Sequence, residues 1–435
     1  MVSVQSVGNA KKTTKKTGEI LIPFATALLG CWLLATSSFF RYQSDPLLYS
    51  DVACGIIFLF IGLALRRHKG LWKGWVIGLL GVWLSSAPLI FWAPNPAGYL
   101  NNTLCGVAAL AIFLYLPFVS HQTPNEGPSI PPGWSFNPSS WAQRIPIIFL
   151  AFICWMISRY LAAYQLGYID TMWDPFFGSG TVNVLTSDVS KAFPVPDAGL
   201  GAFAYTLETL SGFGNERRWR TTPWLVILFG LLTIPLSIAS IILIMLQPIL
   251  VGSWCGLCLI NAFIMLLPIP LSIDEMTASI QYLKHAKEKP FLKLLLEGGT
   301  CPKATHDHRT PSLDRPTVDL LKASMWGVTL PWNLCLCLLF GMWIMVSPAI
   351  FSMPQLLADA DHVIGALVIV VTMTSLSEIV RSWRYGNLLL TAFLLISSLF
   401  APISFSTLNQ VLTCLAIAAL SIRKGPIRET TTFFK

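Results

Sequence analysis

The chain of 435 residues is 54% hydrophobic and only 11% charged, with a mean hydropathy of +0.64; a soluble domain carries about 25% charged residues. A soluble globular protein is thereby excluded. The net charge of +8 does not mark a nucleic-acid binder, because Lys and Arg gather in alternate loops, as in polytopic membrane proteins with their positive segments inside.

Apolar runs long enough to span ~30 Å of hydrocarbon, some only with thinning or tilt, recur near 20–40, 49–65, 74–92, 98–119, 145–165, 198–213, 223–248, 254–271, 326–348, 361–379, 386–402 and 407–422. The expected fold class is therefore all-α and polytopic, with about twelve transmembrane helices. One set of connecting segments holds Lys11, Lys12, Lys15 and Lys16, then Arg66 to Lys73, Arg144, Arg217 to Arg220, Lys284 to Lys322, Arg381, Arg384 and Arg423 to Arg428. The opposite set holds little beyond Arg41 and Lys191. Twelve spans with this bias put both termini in the cytoplasm. Residues 1–18 are polar and the first run is long enough to remain as an anchor, so no cleavable signal peptide is expected.

The organisation expected is a cytoplasmic tail (1–19), a repeat pair (20–119), a Pro/Gly-rich linker (120–144), a central domain (145–271), a cytoplasmic linker (272–324), a second repeat pair (325–422) and a cytoplasmic tail (423–435). The repeat is visible in Gly81-Val-Trp83-Leu-Ser-Ser-Ala-Pro88 and Gly341-Met-Trp343-Ile-Met-Val-Ser-Pro348, with a weaker copy from Gly30 through Trp32 to Ser37. Each is followed by a glycine with Asp or Asn four positions before it: Asp51/Gly55, Asn102/Gly106 and Asp361/Gly365. A degenerate fourth copy spans Ala401-Pro402 and Gln410/Cys414. In this unit the proline ends the outgoing helix, the Asp or Asn caps the returning one, and the glycine permits close helix approach. These residues resemble the SPW-repeat membrane family, a packing module.

In the second linker Met276, Ile280 and Leu283 share one helical face, which predicts an amphipathic helix on the inner membrane surface. Cys301, His306 and His308 in the same linker read as a solvated loop, and no metal site is expected.

The central domain carries a long loop, 166–197, with Trp173, Phe176, Phe177 and Phe193, in which Ser187 to Phe193 has the composition of a short capped helix. A loop of this length and aromatic content reads as a lid. The domain's last apolar run opens with Val251-Gly-Ser-Trp-Cys-Gly-Leu-Cys258. A helix starting near Ser253 places both sulfurs in its first turn, where unpaired N–H groups and the dipole favour a thiolate, the state that makes a C-x-x-C pair a redox couple. An inert buried couple and half of a metal site are the competing readings. The remaining cysteines, Cys31, Cys54, Cys105, Cys154, Cys335, Cys337 and Cys414, read as small apolar residues in helices.

Asp197-Ala-Gly-Leu-Gly-Ala-Phe-Ala-Tyr205, a basic inner loop, a long third span and Trp254-Cys-x-x-Cys258 together resemble the vitamin K epoxide reductase family over about 145–285. The resemblance implies a four-helix bundle that passes electrons from protein thiols to a quinone. It implies that Cys255 and Cys258 are the catalytic pair, with Cys258 facing the quinone and Cys255, nearer water, exchanging disulfides with the donor. By the same resemblance Asp197 contacts a quinone carbonyl, with Tyr205 two turns on. Trp254 and Phe193 supply an aromatic quinone surface, and Glu208, on the face of Asp197, Gly201 and Tyr205, is a candidate for proton delivery. The chain departs from the family in having no cysteine in loop 166–197 and Ala262 where some members have tyrosine. The expected activity is thus a membrane thiol-disulfide oxidoreductase linked to a quinone of the bacterial respiratory type. Its partners are a thioredoxin-like extracytoplasmic thiol protein and membrane lipid, its location a bacterial plasma membrane with the redox site on the outer face. A non-catalytic scaffold or transporter with a degenerate redox module is the alternative.

Overall fold

The computed structural model describes residues 21–36, 39, 44–67, 71–116, 127–286, 288–351, 353–400, 402 and 404–429. These residues form helices in the order α1 (Leu21–Thr36), α2 (Asp45–Arg67), α3 (Leu71–Ile90), α4 (Pro96–Tyr115), α5 (Trp141–Gln165), α6 (Gly180–Leu185), α7 (Asp197–Ser211), α8 (Arg218–Thr221), α9 (Pro223–Leu246), α10 (Gly256–Leu266), α11 (Pro268–His285), α12 (Phe291–Glu297), α13 (Thr317–Ser324), α14 (Trp332–Ile350), α15 (Gln355–Thr374), α16 (Gly386–Ser398) and α17 (Phe405–Ile422). Strand pairing among them is confined to two isolated bridges. Nine of the described helical stretches are long and apolar enough to cross a membrane; α1, α7 and α16, on three further expected runs, are shorter. The protein is an all-α integral membrane protein.

Two compact units divide it, one from residues within 1–124, 158–172 and 190–206, the other from 125–157, 173–189 and 207–435. In the first unit the repeat's glycines interlock: a Cβ on Gly30 would lie 2.7 Å from the Gly55 carbonyl oxygen, and one on Gly106 would lie 2.8 Å from that of Gly81. The second unit repeats the contact between Gly365 and Gly341, also at 2.8 Å. Each repeat tryptophan donates its indole N–H to a neighbouring hairpin: Trp32 to Asn101 (2.9 Å), Trp83 to Ser50 (2.8 Å) and Trp343 to Asn409 (3.0 Å). A carbon atom added at such a helix crossing must displace backbone, which costs about 1–3 kcal/mol. Gly365→Ala is therefore expected to lower the thermal midpoint of the detergent-solubilised protein, whereas Gly201→Ala, whose Cβ meets nothing closer than 3.4 Å, leaves it unchanged; equal midpoints would refute the glycine contact.

The repeat acids and amides do not cap their helices. Asp51, Asn102 and Asp361 each stand a turn and a half inside α2, α4 and α15, because these helices start earlier, at Asp45, at Asn95-Pro96 and after Pro354. Asn95 performs the capping in α4, accepting from the Gly98 N–H at 2.7 Å. The interior residues instead pair across each repeat: Asn102 donates to Asp51 at 2.9 Å in the first unit, and Gln410 to Asp361 at 2.6 Å in the second. All four are buried.

In the second unit, α11 carries the helix on to His285, with Ser272, Ile273, Asp274, Glu275, Ala278, Ser279, Tyr282 and Leu283 buried. The segment expected to lie on the membrane surface is thus a packed continuation of the redox helix. Its polar residues are met internally: Arg218 pairs with Glu275 through two bonds of 2.6 Å, and Ser139 donates to the same carboxylate at 2.5 Å. Arg144 donates to the carbonyls of Gly212 (2.7 Å) and Gly214 (3.1 Å), covering orphan acceptors at the end of α7.

Candidate functional site

The approach to the C-x-x-C segment is shaped by two residues that end α9. Pro248 lacks an N–H, and the chain there winds into a single π turn, Gln247–Val251, which Gly252 closes in the left-handed conformation at φ +67°. Cys255 then stands extended as the N-cap of α10, and Cys258 falls in that helix's first turn, so the helix begins two residues later than the Ser253 cap predicts. The two sulfurs form a disulfide, with Cα atoms 5.2 Å apart. The Cys255 sulfur accepts from the Cys258 N–H at 3.1 Å, and the buried Gln247 side chain holds the Cys255 N–H at 2.9 Å.

Their burial is the reverse of the expectation. Cys255 is fully buried, whereas Cys258 is partly exposed. The cause is the loop, which folds over the start of α10 through one carboxylate. Asp174 accepts from the N–H groups of Phe176 and Phe177 (both 2.8 Å) with Oδ1. With Oδ2 it accepts from the Thr181 hydroxyl (2.6 Å), the Thr181 N–H (3.1 Å) and the Gly256 N–H (3.2 Å). Thr181 Oγ1 also lies 3.4 Å from the Cys255 sulfur; its single proton serves the shorter bond to Asp174, so it shields the sulfur by contact. Asn183 reaches Ser253 at 3.3 Å, and a Cβ at Gly180 would run into the Trp254 carbonyl. The short helix of the loop is thus Gly180–Leu185, while residues 187–193 are turns, because the Asp174 cradle, not Ser187, organises the segment.

Asp174 adds an electrostatic consequence. Partial burial raises its carboxyl, but the hydrogen bonds from Thr181, Phe176, Phe177 and Gly256 outweigh that and bring it down to about 2. An anion therefore already occupies the N-terminus of α10, where the dipole was expected to favour a Cys255 thiolate. With the lid closed, the sulfur is both covered and denied part of that field.

Glu208 is buried and accepts from Thr233 at 2.9 Å. Trp254 and Cys258 pack against an apolar cluster that includes Ile241, Ile244, Ala366 and Ile369. In the first unit, Asp197 opens α7 and its Oδ1 accepts from Gln165, from Ser190 (3.0 Å) and from its neighbour's N–H (2.7 Å). Tyr205 is buried and Phe193 exposed in that unit. Asp174, Thr181 and Gln247 escape sequence reasoning; the available signal for the first is Asp-Pro within an aromatic loop, a turn former. No group of three metal-ligating side chains occurs among the described residues, Cys301, His306 and His308 included.

Residues 145–273 match the Vitamin K epoxide reductase family. Residues 21–115 match the SPW repeat domain, the half of the repeat pattern on the N-terminal side. No curated protein and no solved structure matches the chain. The vitamin K epoxide reductase family domain thus contains the disulfide, its lid and Glu208, and ends within α11.

Proposed function

We propose that the protein oxidises thiols of an extracytoplasmic, thioredoxin-like partner and passes the two electrons through Cys255 and Cys258 to a membrane quinone. The observation that carries this reading is the disulfide at the N-terminus of an apolar helix, with one sulfur partly open and the other beneath a lid. Two sulfurs in different surroundings suit two different reaction partners. Cys258, on the apolar side, meets the quinone; Cys255 meets the donor once the lid lifts. Trp254 borders the quinone site and Glu208 is the proton carrier; the family resemblance names Asp197, Tyr205 and Phe193 as further candidate quinone contacts. The absence of cysteine from loop 166–197 means that the donor attacks the C-x-x-C pair directly, and a respiratory-type quinone suits this chain better than vitamin K epoxide.

Purified protein in lipid nanodiscs, reduced and mixed with a short-chain benzoquinone, should reform the disulfide and yield one quinol per pair. Thiols that persist unreactive in the presence of quinone would refute the activity. The charge pattern supports cytoplasmic termini and a redox pair at the outer face, in what we take to be a bacterial plasma membrane. A reporter after Gly298 is accordingly expected to be cytoplasmic and one inserted after Gly178 external; the inverse result would place the pair in a reducing compartment and end the proposal.

A further inference from the structure

Helix α15 belongs to the second repeat pair and lies outside the family-matched domain. Four of its buried residues, His362, Ala366, Ile369 and Met373, recur at helical spacing and form one stripe. The last three join the apolar cluster of Ile241, Ile244 and Met245 from α9, on which Trp254 and Cys258 also pack, as does Val363. At the level of the C-x-x-C segment this otherwise apolar stripe changes to an imidazole. The His362 ring meets Trp254 edge to face, with centroids 5.9 Å apart and an interplanar angle of 73°. His362 is only 7% exposed, yet its Nδ1 has no hydrogen-bond partner. A buried ring nitrogen without a partner is costly; the ring's hydrogen bond to the Met345 backbone orients the imidazole and leaves Nδ1 open.

We propose that the second repeat pair completes the redox site and that His362 exchanges the proton that moves between the cysteine thiols and the quinone. This rests on the quinone-reducing reading above. In the step, Cys255–SH and Cys258–SH lose two protons and two electrons as the S–S bond forms, and the quinone gains both to become a quinol. His362 takes one thiol proton at its vacant nitrogen and returns it to a quinone oxygen, so it is unchanged at the end and no further reductant is required. The repeat pair then has a chemical role in addition to packing.

The test separates the two half-reactions. His362→Phe keeps an aromatic ring against Trp254 and removes the exchangeable proton. In nanodiscs, the reduced variant is expected to reduce a short-chain benzoquinone at least tenfold more slowly than the native protein. Reduction of its disulfide by dithiothreitol should proceed at the native rate. His362→Ala should show the same defect and regain rate with added imidazole, which a merely structural loss would not allow. Native quinone rates in His362→Phe would overturn the inference and leave the proposed activity standing, as would an equal slowing of both half-reactions without imidazole rescue. A native protein that fails to reduce quinone would overturn both.

Discussion

Cys258→Ser is expected to arrest the protein as a covalent complex with its thiol donor, whereas Cys255→Ser accumulates none. A dithiol donor attacks one sulfur of the pair, and the mixed disulfide so formed must be resolved by a second thiolate. The loop sits over Cys255 and is held by hydrogen bonds that can open, whereas Cys258 stands on the apolar helix beside Trp254. Donor access therefore comes with loop displacement, at Cys255. With serine at 258, the Cys255 thiolate attacks the oxidised partner's disulfide and expels one partner thiolate, but the protein has lost the Cys258 thiolate that would resolve the mixed disulfide, so the adduct persists. Quinone-coupled turnover should fall by roughly 10³-fold or more in both variants, as when a nucleophile acting in a unit is removed. Non-reducing gels of native membranes, with the adduct identified by mass spectrometry, read the outcome. Trapping by Cys255→Ser alone would reverse the two roles, and trapping by neither would remove direct exchange at this pair.

The second large effect should come from Asp174. Its carboxylate accepts five hydrogen bonds, one of them from the redox helix itself at Gly256, and bonds to a charged group contribute about 1.5–3 kcal/mol each. Only part of that separates the closed from the open lid, since the bonds from Phe176, Phe177 and Thr181 stay within the loop and only that from Gly256 crosses to the redox helix. A loss of ~2–3 kcal/mol from the closed state corresponds to an open population raised roughly 30- to 160-fold. Asp174→Ala is thus expected to speed reduction of the native disulfide by a water-soluble phosphine by at least tenfold, and to speed labelling of Cys255 in the reduced protein far more than that of Cys258. The sign of the pH dependence follows from a carboxyl held below its ordinary value of 3.8, at about 2. Its contribution to the closed lid is fully present above 3.8 and is lost as pH falls through about 2. The ratio of variant to native rates should therefore be flat from pH 5 to pH 8 and decline only in strong acid. Equal rates in the two proteins at pH 7 would show that Asp174 does not hold the lid.

The sequence makes the membrane class, the repeat spacing, the interlocking glycines and the redox pair legible, because each is local or periodic. The Gly-Trp-Pro pattern identifies helices that must approach closely, and the glycines do touch. Asp51 and Asn102 were harder, since a short polar residue near the start of an apolar run is equally a cap or an interior partner. The choice is made by Asn95-Pro96 upstream in one helix and by a partner 51 positions away. Asp174 meets the redox helix 82 positions along the chain, and no local pattern encodes that contact. The exposure of the two cysteines was inverted for the same reason: position along a helix predicts depth only when nothing folds over its end. His362 is legible only after α15 has been packed against Trp254.

The pairing of Asn102 with Asp51 bears on how the chain is made. The two residues belong to successive helical hairpins, α1–α2 and α3–α4, and Trp32 and Trp83 likewise donate from one hairpin to the other. The first hairpin therefore leaves the insertion machinery before the amide that meets the Asp51 carboxylate has been made. That contact forms only after some fifty further residues have been synthesised and the second hairpin can lend its amide. The duplicated unit is in this sense a unit of biosynthesis of twice its sequence period.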